Sequence, residues 1–244
     1  FVQSANTTFN IILTESKPPG IYNSIYELSS KNITRGNSWG LTARWNEKIS
    51  EANVEYNSLS PVLNKYDIDL PESNPENITQ TTVSTNKNWY LGDHQAKIYA
   101  ADLNNNWNNT LPYLNFTVWG LARIKDISLQ PQTILPGNKT TIKCKVIDNT
   151  DDESPIDGYT VSFYNSTGIL GQNTTNSTGW ATFTFKDSSL GDENILCNIT
   201  KDKNNYYLTD SENTKSQTLT TKETRPPWYK NLQSDKQVVH KDQN

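Results

Sequence analysis

The sequence contains few of the residues on which metal sites and acid–base catalysis depend. Its 244 residues include two cysteines, two histidines and no methionine. A structural zinc site uses four cysteine or histidine ligands, and these four residues are widely spread along the chain. No run of 18 apolar residues is present, so no transmembrane helix is predicted. An N-terminal apolar leader is also missing, as expected of a mature or internal segment.

Charged residues are scarce, and their small excess is negative. They make up 20% of the chain, the net charge is −4, and the pI is about 5.3. Proteins that bind nucleic acid generally present a basic patch. The composition therefore predicts no nucleic-acid partner.

No catalytic signature is present either. The sequence has no G-x-S-x-G nucleophile motif, no phosphate-binding loop and no histidine-rich metal pattern. His94 and His240 fall in different predicted modules, and we interpret each as a surface residue. Acidic residues at 151–153 and 192–193 would serve glycoside hydrolysis only if they met across a cleft. We interpret them as solvated loop charge, and we expect a protein that is not an enzyme.

Asparagine and threonine, by contrast, are abundant, and N-x-S/T acceptor sequences for N-glycosylation recur. The ten acceptors are Asn6, Asn32, Asn77, Asn108, Asn115, Asn138, Asn165, Asn173, Asn176 and Asn198. Several would arise by chance in such a composition. The crowding of Asn165, Asn173 and Asn176 in one turn-rich stretch is better evidence, because turns can accommodate glycans. We predict an extracellular protein with N-linked glycans.

The two cysteines support the same location. Cys144 and Cys197 each lie in an apparent strand in which the cysteine alternates with outward-facing polar residues. Both thiols should therefore face a core, as a disulfide between two sheets requires. Two separate buried thiols are the alternative. A disulfide would place the chain in an oxidising compartment.

Short runs with period-2 alternation, separated by Asn, Gly, Pro, Asp and Ser, predict an all-β protein. The core-facing positions of two such strands are Leu41, Ala43 and Trp45, and Tyr159, Val161 and Phe163. The spacing predicts two tandem immunoglobulin-like β-sandwich domains, at 17–121 and 122–222.

Two sets of motifs resemble known families. NSWGLTARWN from Asn37 and AKIYAADLNNNWN from Ala96 resemble a domain of archaeal, especially methanogen, cell-surface proteins. Asn105 stands where that family usually has glycine. SPIDGYTVSF from Ser154 and TGWATFTF from Thr178 resemble invasin-type immunoglobulin-like repeats. The resemblance implies stalks, spacers or adhesive modules, and fold alone does not choose among these.

A short repeat suggests that the chain is a slice of a longer array. ESKPPGIYN begins at Glu15 and ETRPPWYKN at Glu223, about 208 residues later. Self-similarity at a fixed spacing indicates a repeat architecture. We therefore interpret residues 1–16 as the end of a preceding domain. Residues 223–244 would be a linker and the start of the next repeat.

Two kinds of binding residue are candidates. Asp102, Asn104 and Asn106 alternate like half of a calcium loop but lack its glycine and distal glutamate, and a simple hairpin turn also explains them. A structural calcium near Asp126 or within 148–153 is a weaker alternative. The aromatic candidates for sugar stacking or a neighbour's pocket are Trp89, Tyr90, Trp228 and Tyr229, for which ordinary packing is the other interpretation.

The leading hypothesis is a structural, glycosylated segment of a cell-surface protein, acting as a surface-layer element, stalk or filament. Its partners would be other copies of itself or other surface proteins. An adhesin or carbohydrate-binding module is the first alternative. Accessory domains of a surface hydrolase are the second.

Overall fold

A computed structural model describes residues 16–68, 70 and 77–223 of the chain, and this part contains strands and no helix. None of the described residues therefore forms a helix able to cross a membrane. The strands are β1 Ile21–Leu28, β2 Asn32–Thr34, β3 Ser38–Trp45, β4 Ile49–Asn57, β5 Leu63–Asp67, β6 Ile78–Ser84, β7 Gly92–Asp102, β8 Trp107–Asn108, β9 Leu114–Gln130, β10 Thr133–Ile134, β11 Lys139–Asp148, β12 Ser154–Pro155, β13 Thr160–Asn165, β14 Gly168–Thr174, β15 Trp180–Lys186, β16 Gly191–Asn198, β17 Tyr207–Thr209 and β18 Thr214–Thr221.

The chain divides into two compact units. Of the described residues, unit 1 contains 16–68, 70, 77–123, 147–154 and 200–211, and unit 2 contains 124–146, 155–199 and 212–223. The segments 147–154 and 200–211 thus belong to unit 1, although the sequence pattern placed them in the second predicted domain.

Unit 1 is a β-sandwich. One sheet has the order β1-β3-β6, and the other contains β5, β4, β7 and the first part of β9, all joined antiparallel. The short strands β2 and β17 add to β9 in parallel. The core between the sheets includes the predicted face of β3, with Leu41, Ala43 and Trp45 all buried.

Aromatic rings fill one end of this core. Trp39 lies with its ring centroid 4.7 Å from that of Phe116 and 5.4 Å from that of Tyr56, edge-on to the latter. Large rings of this kind bury more apolar area than aliphatic side chains do. A sandwich of this size therefore obtains much of its core from a few aromatic positions.

Unit 2 is a second sandwich. One sheet has the order β10-β18-β16-β13-β14, and the facing layer includes the antiparallel pair β11 and β15. Tyr159, Val161 and Phe163 are buried on one face, as their alternation predicts. The predicted all-β sandwich class is confirmed.

Candidate functional site

A buried disulfide joins the two layers of unit 2. Cys144 on β11 is bonded to Cys197 on β16, with the Cα atoms 6.6 Å apart and both residues 0% exposed. Both cysteines occupy inward positions, as predicted; Cys144 lies between Lys143 and Lys145, whereas Cys197 lies between Leu196 and Asn198. Because the two sulfur atoms are bonded to each other, the structure favours the disulfide over the alternative of two separate buried thiols.

Trp89 lies in the core of unit 1 and is not a surface aromatic. It is 4% exposed, and its ring stacks on Tyr56 with centroids 5.6 Å apart. Trp89 is therefore a packing residue and is not placed to stack on a sugar at the surface. Tyr90 is half-buried, and its hydroxyl donates to the Asp93 carbonyl at 3.0 Å. Trp228 and Tyr229 lie outside the described residues.

His94 is fully buried, so its interpretation as a surface residue is wrong. Its Nδ1 lies 2.9 Å from the Asn57 carbonyl and its Nε2 lies 3.0 Å from the Tyr90 carbonyl. The ring stacks on Tyr90 with centroids 4.1 Å apart. Burial lowers the pKa of His94, whereas the two carbonyls and Asp93 oppose that shift. His94 on β7 therefore connects the end of β4 at Asn57 with the loop that carries Tyr90. His240 lies outside the described residues.

The carboxylate of Asp102 accepts hydrogen bonds from residues of the turn that it begins. Asp102 Oδ1 accepts the backbone N–H groups of Asn104 and Asn106 at 2.8 and 2.9 Å, and Oδ2 accepts the Asn106 amide at 2.8 Å. These hydrogen bonds lower the pKa of Asp102. Asn105 has a positive φ of 62°, a conformation that asparagine tolerates better than most residues. The hairpin-turn interpretation thus accounts for the Asp-x-Asn pattern. Among the described residues, no three His, Cys, Asp or Glu side chains are grouped to hold a metal.

A cross-strand cluster on unit 1 was not predicted. Glu55 on β4 lies opposite Lys65 on β5 and Lys97 on β7. Its Oε2 accepts the hydroxyls of Tyr99 at 2.5 Å and Tyr113 at 2.6 Å. Both lysine ammonium groups lie 4.6 Å from the centroid of the Tyr99 ring. The groups satisfy one another, which indicates a stabilising role for this face of the sheet.

A second network in unit 1 is almost buried. Arg35 Nη1 lies 3.3 Å from Asp148 Oδ2, and the two side chains are 7% and 2% exposed. Asp151 lies 3.8 Å from the same nitrogen. Asp148 Oδ1 also accepts the N–H and hydroxyl of Thr150 at 2.8 and 2.6 Å. Of the acidic residues at 151–153, which were predicted to be solvated loop charge, Asp151 is therefore partly engaged with Arg35.

The ten glycosylation acceptors occupy different environments. Exposed, half-buried and buried positions are represented, and Asn6 lies outside the described residues. The exposed ones are Asn32, Asn115, Asn138, Asn173 and Asn176, the half-buried ones are Asn77, Asn165 and Asn198, and Asn108 is buried.

No protein-family model and no curated protein matches the chain. Among solved structures, the Yersinia pseudotuberculosis adhesin InvE is similar with a TM-score of 0.41 and 11% identity, covering 84% of this chain and 60% of that chain. The Escherichia coli adhesin FdeC gives 0.42 and 11%, with 84% and 66% covered. The D0-D1 domain of intimin gives 0.31 and 14%, with 81% and 98% covered.

The chain therefore spans less than two thirds of the length of either the InvE or the FdeC structure.

Proposed function

We propose that the protein is a non-enzymatic, structural segment of an extracellular cell-surface protein, serving as a stalk, spacer or surface-layer element. The observation that carries this proposal is the Cys144–Cys197 disulfide, buried between the layers of unit 2. Structural disulfides persist in oxidising compartments and are rare in the cytosol. A cross-link between facing sheets also limits how far the sandwich can open.

The polar clusters of unit 1 support a structural role. The Glu55 cluster and the Asp102 turn each direct their hydrogen bonds to groups of the same unit. Polar groups that are fully paired rigidify a fold. A reactive site, in contrast, usually keeps a strongly perturbed group facing a cleft.

The wider setting follows from the sequence motifs. The resemblance to archaeal surface domains and to invasin-type repeats favours an array on a cell surface, with other copies or other surface proteins as partners. The repeat at Glu15 and Glu223 favours a repeating pair of domains. A sugar-binding role receives less support, because the ring of Trp89 packs in the core.

Two measurements test this proposal. Protease added to intact cells of the source organism should degrade the protein, and thiol labelling of the denatured, non-reduced protein should detect no free cysteine. A lysed-cell sample is the positive control for the protease. Complete protection in intact cells together with two labelled thiols would place the chain in a reducing interior and overturn the proposal.

A further inference from the structure

Strand β14 forms one edge of the five-stranded sheet of unit 2. It pairs with β13 and stands last in the strand order of its sheet. Five of its seven residues are exposed, including Ile169 at 58%. An exposed edge strand presents backbone groups that can pair with another chain, so soluble proteins protect such edges.

Two glycosylation acceptors stand at the two ends of this edge strand. Asn165 ends β13 at the turn into β14, and Asn176 lies in the turn from β14 to β15. Asn165 Oδ1 accepts the N–H and hydroxyl of Thr167 at 3.1 and 2.8 Å. Asn176 Oδ1 accepts the same groups of Thr178 at 3.0 and 2.7 Å. Both turns therefore hold the amide oxygen of the acceptor inside the turn.

The amide nitrogens of these two acceptors are available. Neither Asn165 Nδ2 nor Asn176 Nδ2 donates to an acceptor within the described part of the chain. Nδ2 is the atom to which an N-linked glycan is attached. With the oxygen engaged by the turn, attachment at this nitrogen breaks no hydrogen bond among the described residues.

Two other acceptors with the same motif provide an internal contrast. Asn108 Nδ2 donates to the Pro19 carbonyl at 2.7 Å, and the residue is only 8% exposed. Asn173 Nδ2 donates to the Thr182 carbonyl of β15 at 2.7 Å. A glycan would replace one of the two protons on Nδ2 and would have to fit beside that hydrogen bond. These two side chains are therefore structural.

The third position of the motif is occupied only by threonine. All ten acceptors have the form N-x-T, although the chain contains 21 serines beside 29 threonines. Composition alone would give serine at about four of the ten. The branched threonine side chain has few rotamers, so it holds its hydroxyl toward the asparagine oxygen more firmly than serine does.

We propose that Asn165 and Asn176 carry N-linked glycans, which shield the edge of β14 from pairing with other chains. The proposal rests on the extracellular location proposed above. In the attachment, Nδ2 attacks the anomeric carbon of a lipid-phosphate-linked oligosaccharide. A C–N bond forms, the C–O bond to phosphate breaks, the lipid phosphate leaves, and the amide loses one proton.

Site occupancy tests the first half of the proposal. The full chain is secreted from a eukaryotic cell line that attaches N-glycans, and glycopeptides of the monomeric fraction are measured by mass spectrometry. We expect glycans at Asn165 and Asn176 and none at Asn108 and Asn173. Glycans at Asn108 or Asn173, or none at both Asn165 and Asn176, would overturn the assignment. This result does not depend on where the native cell places the protein, which the protease experiment addresses separately.

Enzymatic removal of the glycans tests the second half. An amidase that converts the glycosylated asparagine to aspartate keeps the side-chain oxygen that closes each turn. We expect the treated protein to associate several-fold faster in light scattering than the untreated protein. The matched control is an Asn138→Gln variant. It lacks the acceptor near β10, which forms the opposite edge of the same sheet. This variant, with its other glycans intact, should associate as slowly as the untreated wild type. Unchanged association after complete deglycosylation would overturn the shielding role.

Discussion

Cys144 on β11 is covalently bonded to Cys197 on β16, and the bond joins the two layers of unit 2 across a separation of 53 residues. Closing a loop of this length stabilises the folded state by about 4 kcal/mol in the chain-entropy model. We therefore expect the Cys144→Ala/Cys197→Ala double variant to be less stable than the oxidised protein by about 4 kcal/mol. The variant should accordingly unfold at a lower urea concentration. Equilibrium unfolding followed by fluorescence measures the difference.

Reduction of the wild-type protein is the matched control for that experiment. It breaks the same cross-link without changing the packing volume of the sulfur atoms. The reduced wild type and the double variant should lie within about 1–2 kcal/mol of each other, because the remaining difference is that of two small buried groups. An oxidised protein no more stable than either would show that the cross-link contributes nothing to the fold.

The buried imidazole of His94 predicts a pH dependence of stability. Burial lowers its folded-state pKa below the ordinary 6.5. As the pH falls below 6.5, the unfolded chain binds a proton that the folded chain does not. The contribution of His94 to stability should therefore be fully present above pH 6.5. It should be lost as the pH falls toward the folded-state pKa, by at most about 1.4 kcal/mol per pH unit.

The comparison of wild type with His94→Gln between pH 7.5 and 5 measures this term, because the variant lacks the titrating ring. The stability difference between the two proteins should shrink as the pH falls. NMR titration gives the pKa directly, and only two histidines contribute signals. A folded-state pKa above 6.5 would mean that both ring nitrogens keep protons for their carbonyl partners, and the sign of the slope would be reversed.

Breaking the buried ion pair of Arg35 and Asp148 should lower the stability of the protein far more than breaking an exposed ion pair in the same unit. Asp148→Asn keeps the oxygen that accepts from Thr150 but leaves the guanidinium without its buried counter-charge, at a cost of about 3 kcal/mol. Asp152 pairs with Lys87, and those side chains are 73% and 52% exposed. Asp152→Asn is therefore the matched control and should leave the unfolding midpoint unchanged. Equal effects of the two substitutions would contradict the importance of burial.

Period-2 alternation identified two core faces because burial on one side of a strand leaves a direct pattern in the sequence. The predicted residues Leu41, Ala43 and Trp45, and Tyr159, Val161 and Phe163, are all buried. β14 shows no such alternation. Its residues are mostly exposed, and Gly168 and Gly171 look like turn residues. An edge strand with little burial has no strong alternation to detect.

Tertiary contacts explain the other differences. His94 has polar neighbours in sequence, yet it shares the inward parity of Ala96, Ile98 and Ala100 on β7, a signal that could have identified it. Trp89 has no such signal, because it enters the core from a loop. The Glu55 cluster depends on the register of three strands, which propensity and composition do not determine.

The Glu55 cluster predicts a coupled tyrosine titration. The hydrogen bond to Glu55 raises the pKa of Tyr113, so Glu55→Gln should lower that pKa toward 10. Because the folded-state pKa is raised, this contribution to stability is present below pH 10 and is lost as the pH rises above it. Tyr207 is the internal control: burial raises its pKa, and the charges that act on it belong to Asp148, Arg35 and Asp151, which lie outside the Glu55 cluster. NMR of ring-labelled tyrosine, assigned with Tyr113→Phe, should show the pKa of Tyr113 falling and that of Tyr207 unchanged. A Tyr113 pKa that is the same in wild type and Glu55→Gln would show that the carboxylate does not hold the phenol proton.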